Sequence, residues 1–185
     1  MAIYYGSICE AVEKLKRQYG ESDPFKLCGL MGISVLYKDM GKDENSCKGF
    51  FLPQSRVCCI VINDNFSPEF QRVICAHELG HAVLHKNIAG VKDFHDFYMF
   101  NQNSQRENDA NIFAAELLLK DEDVYTALNE DTTFFQTALD FKVPVELLDF
   151  KFRVMKWKGY KIVDFPVYTQ SNWMKNATAD GEDVL

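Results

Sequence analysis

Two histidines four residues apart with a glutamate between them, His77-Glu78-Leu79-Gly80-His81, combine the residue types that hold a metal ion with one that moves a proton. Positions i and i+4 of a helix share a face, so both imidazoles can reach one cation through neutral ring nitrogens. Glu78 stands one step round, where it can take a proton from an attacking water. The chemistry served by this spacing is metal-assisted hydrolysis of a peptide bond, with Glu78 as the catalytic base and His77 and His81 as metal ligands. The competing account is a pair of satisfied core histidines, and the flanking residues weigh against it. Ser67-Pro68-Glu69 has the form of a helix start, a serine N-cap followed by proline at the first helical position. Phe70, Ile74, His77, His81 and Leu84 then follow one inward stripe, where an unpartnered imidazole is costly and a ligating one is satisfied.

A catalytic site needs a third protein ligand and an open fourth position. His85 extends the series, but on a straight helix it lies about 12 Å along the axis from His77, which makes it a packing or supporting residue. The extended metzincin pattern is excluded, because Leu84 and Asn87 stand where it needs glycine and histidine. Downstream, residues Glu107 to Glu116 have the character of a second helix. Glu107 and Asn111 are one turn apart, which suits a carboxylate ligand beside an amide that orients a ligating histidine. Against this, Ser104-Gln105-Arg106-Glu107 fits a capping box in which Glu107 only closes the helix start. Asp109 and Glu116 are the alternative ligands in that case. Ala110 and Ala114 would let this helix approach the first closely.

The string HELGHAVLH, followed after a polar loop by E-x-x-A-N-x-F-A-A-E-L-L-L, resembles the ImmA/IrrE family of zinc metallopeptidases. The likeness runs more weakly through most of the chain and leaves out the C-terminal end. It implies that His77, His81 and Glu107 bind the metal, Zn2+ with Mn2+ as the alternative, and that Glu78 is the general base. It further implies a protein substrate, a helix-turn-helix transcriptional repressor of a mobile element or stress regulon. One departure is visible: Leu117-Leu118-Leu119 runs into Lys120 where the family commonly has proline, which touches a helix end and no ligand. The alternative function is a non-hydrolytic regulator that binds a repressor or other partner through the same scaffold.

With 185 residues, 47% of them hydrophobic, the chain can bury one substantial core. The expectation is a single metallopeptidase-like domain over residues 1–168 and a flexible tail over 169–185, where small, polar and acidic residues mix. No apolar run approaches a membrane span and no basic-then-apolar leader opens the chain, so the expected place is the cytoplasm. The six cysteines, including the adjacent Cys58 and Cys59, have no metal-binding or CxxC spacing and are expected to serve as small hydrophobes. Cys75, beside the motif, is the one candidate for a redox role. The net charge of −7 argues against a nucleic-acid footprint for the whole chain.

The elements that must position these groups give an α+β class: a small antiparallel sheet packed on the metal-binding helix, with additional C-terminal helices. Helices are expected over Tyr5 to Tyr19 and from Pro24 to near Gly32; strands over Ile33 to Tyr37, Lys48 to Leu52 and Val57 to Ile62. The last two strands would be joined as a hairpin at Pro53-Gln54-Ser55. An exposed strand of such a sheet can pair with an extended substrate peptide. The aromatic loop from Asn87 to Asn103 is a candidate lid, with His95 or Tyr98 as a possible oxyanion donor. Further helices are expected near Val124 to Leu128, Phe134 to Phe141 and Val145 to Trp157. Lys151, Arg153, Lys156 and Lys158 make the last one locally basic. Apolar neighbours and acidic Glu146 and Asp149 favour a helical scaffold there over a direct DNA reader.

Overall fold

Helix starts in this chain are fixed by local chemistry. The computed structural model describes residues 2–43, 46–53, 58–85, 105–129 and 132–162. α1 spans Ala2–Tyr19 and buries Ile8, Val12 and Leu15 along one stripe. α2, Pro24–Leu30, opens on Asp23, whose side chain accepts the Lys26 amide at 2.9 Å. The third helix, α3, spans Pro68–Leu84; Ser67 Oγ accepts the Phe70 amide at 3.3 Å and proline fills N1, as the sequence demands. α4 spans Gln105–Leu118, α5 Asp121–Asn129, α6 Phe134–Asp140 and α7 Val145–Trp157. α5 begins at Asp121 rather than near Val124, because Asp121, Glu122 and Asp123 fill its first turn, where acidic side chains complement the helix dipole.

The three strands are β1 (Ile33–Lys38), β2 (Gly49–Pro53) and β3 (Cys58–Asn63), arranged in the order β1-β3-β2. β2 and β3 pair antiparallel, with Gly49 opposite Ile62 and Phe51 opposite Ile60. β1 and β3 pair parallel, with Ile33 opposite Cys58 and Val35 opposite Ile60. The α+β class is therefore as expected, while the sheet is mixed rather than wholly antiparallel. The physical reason is that alternation along a strand records which side chains face the core and carries no information on the direction of its neighbour. β1 reaches β3 from the edge opposite β2, so the connection between β1 and β2 crosses the sheet. Asn63, fully buried at the end of β3, ties that crossing down: its amide donates to the carbonyls of Gly41 and Cys47, each at 2.9 Å.

α3 runs through the middle of the fold, packed on β2, β3 and α2 on one side and on α4 on the other, while α4 also packs on α1 and α7. Two glycines set these distances. A Cβ at Gly80 would stand 3.1 Å from Ala110 Cα and 3.2 Å from Phe113 Cβ, so the absence of a side chain there lets α3 and α4 approach. At Gly49 a Cβ would come within 2.5 Å of Ile74 Cγ2, so β2 lies directly against α3. Cys28 and Cys75 are core residues with their sulfurs 3.9 Å apart, and all six cysteines are free thiols. A hydrogen bond with Cys28, together with burial, raises the Cys75 pKa far above the ordinary thiol range, which suppresses the thiolate that a redox role requires. Among the described residues no helix is long and apolar enough to cross a membrane. The turn at Gln54-Ser55, the loop bearing His95 and Tyr98, and the tail over 169–185 lie outside the described residues.

Candidate metal centre

The inward face of α3 carries His77 and His81 toward the first turn of α4, which carries Glu107. His77 Nε2 and His81 Nε2 are 3.1 Å apart. Glu107 Oε2 lies 3.2 Å from His77 Nε2, and its Oε1 lies 3.4 Å from His81 Nε2. Four bonds of about 2.05 Å directed to the corners of a tetrahedron give ligand separations of about 3.3 Å, so these three donors have the spacing of one triangular face of a zinc tetrahedron. A cation held by these three donors would keep a fourth position for water or substrate. The donor set of two imidazoles and a carboxylate fits a divalent cation of this kind.

Each imidazole is held from behind. His77 Nδ1 lies 2.8 Å from Asn111 Oδ1, so its Nδ1–H donates to the amide oxygen and its Nε2 faces the cluster. His81 Nδ1 lies 3.1 Å from His85 Nδ1, and His85 Nε2 lies 3.4 Å from Asp109 Oδ2. Gln105 Nε2 donates to the other Asp109 oxygen at 3.0 Å. Burial, with His81 and Arg106 nearby, brings the His85 pKa down to about 4, which keeps its ring neutral. Burial pushes Asp109 up to about 6, still ionised at neutral pH.

The carboxylates of the site feel opposite surroundings. Burial works to raise the Glu107 pKa, but hydrogen bonds from His77 and His81 overcome it and hold the group down at about 2. Burial works to lower the pKa of His77, and the carboxylates of Glu107 and Glu78 reverse that and raise it. Glu78 is fully buried, and among the described residues neither of its oxygens has a hydrogen-bond partner. Burial raises its pKa against the pull of His77 and His81, and the Phe51 N–H favours the charged form from outside hydrogen-bond geometry. A carboxyl so isolated is costly unless a donor such as water joins it. The arrangement is therefore chemically able to hold a cation and to pass a proton beside it.

β2 forms one side of this site. The Asn63 amide donates to Lys48 O at 2.9 Å, which in the observed register makes residues 48 and 63 a hydrogen-bonded pair. The alternation of an antiparallel ladder then turns the backbone groups of Gly49 and Phe51 away from β3, toward the outer edge of the sheet. Of the alternative ligands, Asp109 serves His85 and Glu116 joins Lys151 and Lys158, so neither belongs to the cluster of His77, His81 and Glu107. Lys151 is buried, paired with Glu116 at 2.5 Å and with Asp121, while Lys158 also joins both acids and Arg153 pairs with Asp149. These lysines and this arginine are structural cations of the fold. The His85–Asp109 contact escaped the reading of the residues; its signal was the His77, His81, His85 repeat, which puts a third imidazole next to the second.

Comparison with known proteins adds independent weight. Residues 28–153 match the family model described as the IrrE N-terminal-like domain. An uncharacterised "immunity region protein 2" of Bacillus phage phi105 is 33% identical over 147 residues, spanning 80% of this chain and 90% of that protein. The metallopeptidase ImmA of Bacillus subtilis is 28% identical over 142 residues, spanning 76% of this chain and 80% of its own length. The radiation response metalloprotease IrrE of Deinococcus deserti is 32% identical over 114 residues, 58% of this chain but 38% of that longer protein.

Proposed function

Because this chain belongs to the ImmA/IrrE family of metallopeptidases, we propose that it is a zinc-dependent endopeptidase in which His77, His81 and Glu107 hold the metal and Glu78 is the general base. The observation that carries the reading is the triangle of three donor atoms, separated by 3.1, 3.2 and 3.4 Å, beside a carboxylate that is buried without a hydrogen-bond partner among the described residues. Zinc bound there would polarise the scissile carbonyl and lower the pKa of water at the open position. Glu78 takes the proton from the attacking water as its oxygen bonds to the carbonyl carbon, then delivers that proton to the amide nitrogen as the C–N bond breaks. Asn111 keeps His77 turned toward the site throughout. The outward amide and carbonyl groups of Gly49 and Phe51 suit an extended substrate segment laid along β2, which would bring its scissile bond past Glu78.

The substrate we propose is a helix-turn-helix transcriptional repressor of a mobile element or stress regulon, consistent with the family and with the immunity-region name of the phage relative. Co-expression with a helix-turn-helix repressor from the same genome tests it. Defined repressor fragments that disappear with Glu78→Gln, while zinc content and fold are kept, are the expected result. An intact repressor that co-purifies with parent and variant alike would overturn hydrolysis in favour of a non-hydrolytic binding regulator.

A further inference from the structure

The two motif histidines are oriented by different devices. His77 leans on an amide, Asn111, whereas His81 leans on another imidazole that itself leans on a carboxylate. We infer that Asp109 and His85 form a positioning relay that fixes His81 as the Nδ1–H tautomer, leaving its Nε2 lone pair to face the metal site. The inference rests on the reading of His81 as a ligand.

The protons in this chain are forced one by one. An ionised carboxylate only accepts, and Asp109 Oδ1 already accepts from Gln105, so the contact of Oδ2 at 3.4 Å needs His85 to carry its proton on Nε2. A neutral imidazole has one ring proton, so His85 Nδ1 is bare and can only accept. The 3.1 Å contact between the two Nδ1 atoms then requires His81 to donate, which leaves the His81 Nε2 lone pair directed at His77 and Glu107. The reverse polarity would set a bare His85 nitrogen against the Asp109 carboxylate and put the single His81 proton on Nε2, where it would block ligation. Both His81 and His85 are at least nine-tenths buried, so water is poorly placed to stand in for either partner. Asp109 and His85 are thus positioning residues: they touch neither substrate nor metal, and act through His81.

Nitrogen-15 NMR of the histidine-labelled full chain slightly above neutral pH, with and without one equivalent of zinc, reads the relay directly. His85 is expected to show Nε2–H with a bare Nδ1 in both states, and a scalar coupling across the hydrogen bond should link the two Nδ1 atoms. A proton on His85 Nδ1 would overturn the relay. Zinc competition against a chromogenic chelator supplies the second readout. His85→Leu should weaken zinc binding by about tenfold to a hundredfold, while His85→Asn, whose Oδ1 can accept where Nδ1 stood, should recover most of that loss. Equal zinc affinity in the parent and His85→Leu would also overturn it. Should the parent take up no zinc, the ligand reading of His81 falls, and the protonation pattern of His85 still upholds or overturns the relay.

Discussion

Glu78 on α3 and Glu107 on α4 have surroundings that drive their ionisation apart: imidazoles hold Glu107 ionised, whereas burial raises Glu78. That division suits one group to bind a cation and the other to carry a proton. Glu107→Ala should therefore lower zinc affinity more than about a hundredfold, beyond what loss of an outer partner costs. Elemental analysis of the purified chain checks it, and stoichiometric zinc in the variant would remove Glu107 from the ligand set. At this scale the motif was legible because its geometry is local: four residues of helix suffice to align His77 with His81. Asp109 was opaque, because its partner, His85, comes from a different helix.

The approach of α3 to α4 decides whether these donors meet, and it passes through Gly80 against Ala110 and Phe113. Gly80→Ala gains helix propensity yet must push Ala110 or Phe113 aside, and overpacking of this kind costs about 1–3 kcal/mol. The expected outcome is a lower Tm together with weaker zinc uptake, since Glu107 sits on the helix displaced. Calorimetry with and without added zinc separates the two effects. A variant as stable and as metal-competent as the parent would mean the helices have slack there. Element identities were legible from caps and periodicity, as at Ser67, which accepts the Phe70 N–H; the caps at Asp23 and Thr133, which accept the Lys26 and Gln136 N–H groups, follow the same rule in the structure. The parallel pairing of β1 was not, since strand direction is set by the path of the chain between strands.

Across the whole molecule, α1, α4, α5 and α7 meet at a charge network whose centre, Lys151 and Glu116, is buried. Lys151 and Lys158 each pair with Glu116 and Asp121, and Lys16 donates to the Glu116 carbonyl at 3.0 Å. Removing one partner of such a network is costly because it strands the other, about 3–5 kcal/mol by precedent, so Lys151→Ala should lower stability by an amount of that order in urea unfolding; a loss below about 1 kcal/mol would mean water or another side chain replaces it. Burial raises the Asp121 pKa, but the two lysines outweigh it and bring it below its ordinary value. Burial lowers Lys158, and the acids outweigh it and raise it. The signs follow: the Asp121 contribution is present above about pH 3.9 and fades as pH falls through its depressed folded value. The Lys158 contribution is complete below about pH 10.4 and fades as pH rises through its raised folded value. The stability gap between the parent and Asp121→Asn should therefore be full at neutral pH and narrow in strong acid; a gap that is constant with pH would show that charge plays no part in it.

The sequence by itself determined the family, the two aligned imidazoles with Glu78 between them and the helices that carry them, because each depends on residues close in the chain. Tertiary structure decided which of Glu107, Asp109 and Glu116 stands against the imidazoles, since all three are acidic side chains on one helix and only its docking on α3 assigns each a partner. It also turned Lys151 and Lys158 from an apparent basic stripe into counterions of Glu116 and Asp121, Lys151 fully buried and Lys158 at the rim. Charge along a chain is a list of signs, and folding alone decides which opposite sign each one meets.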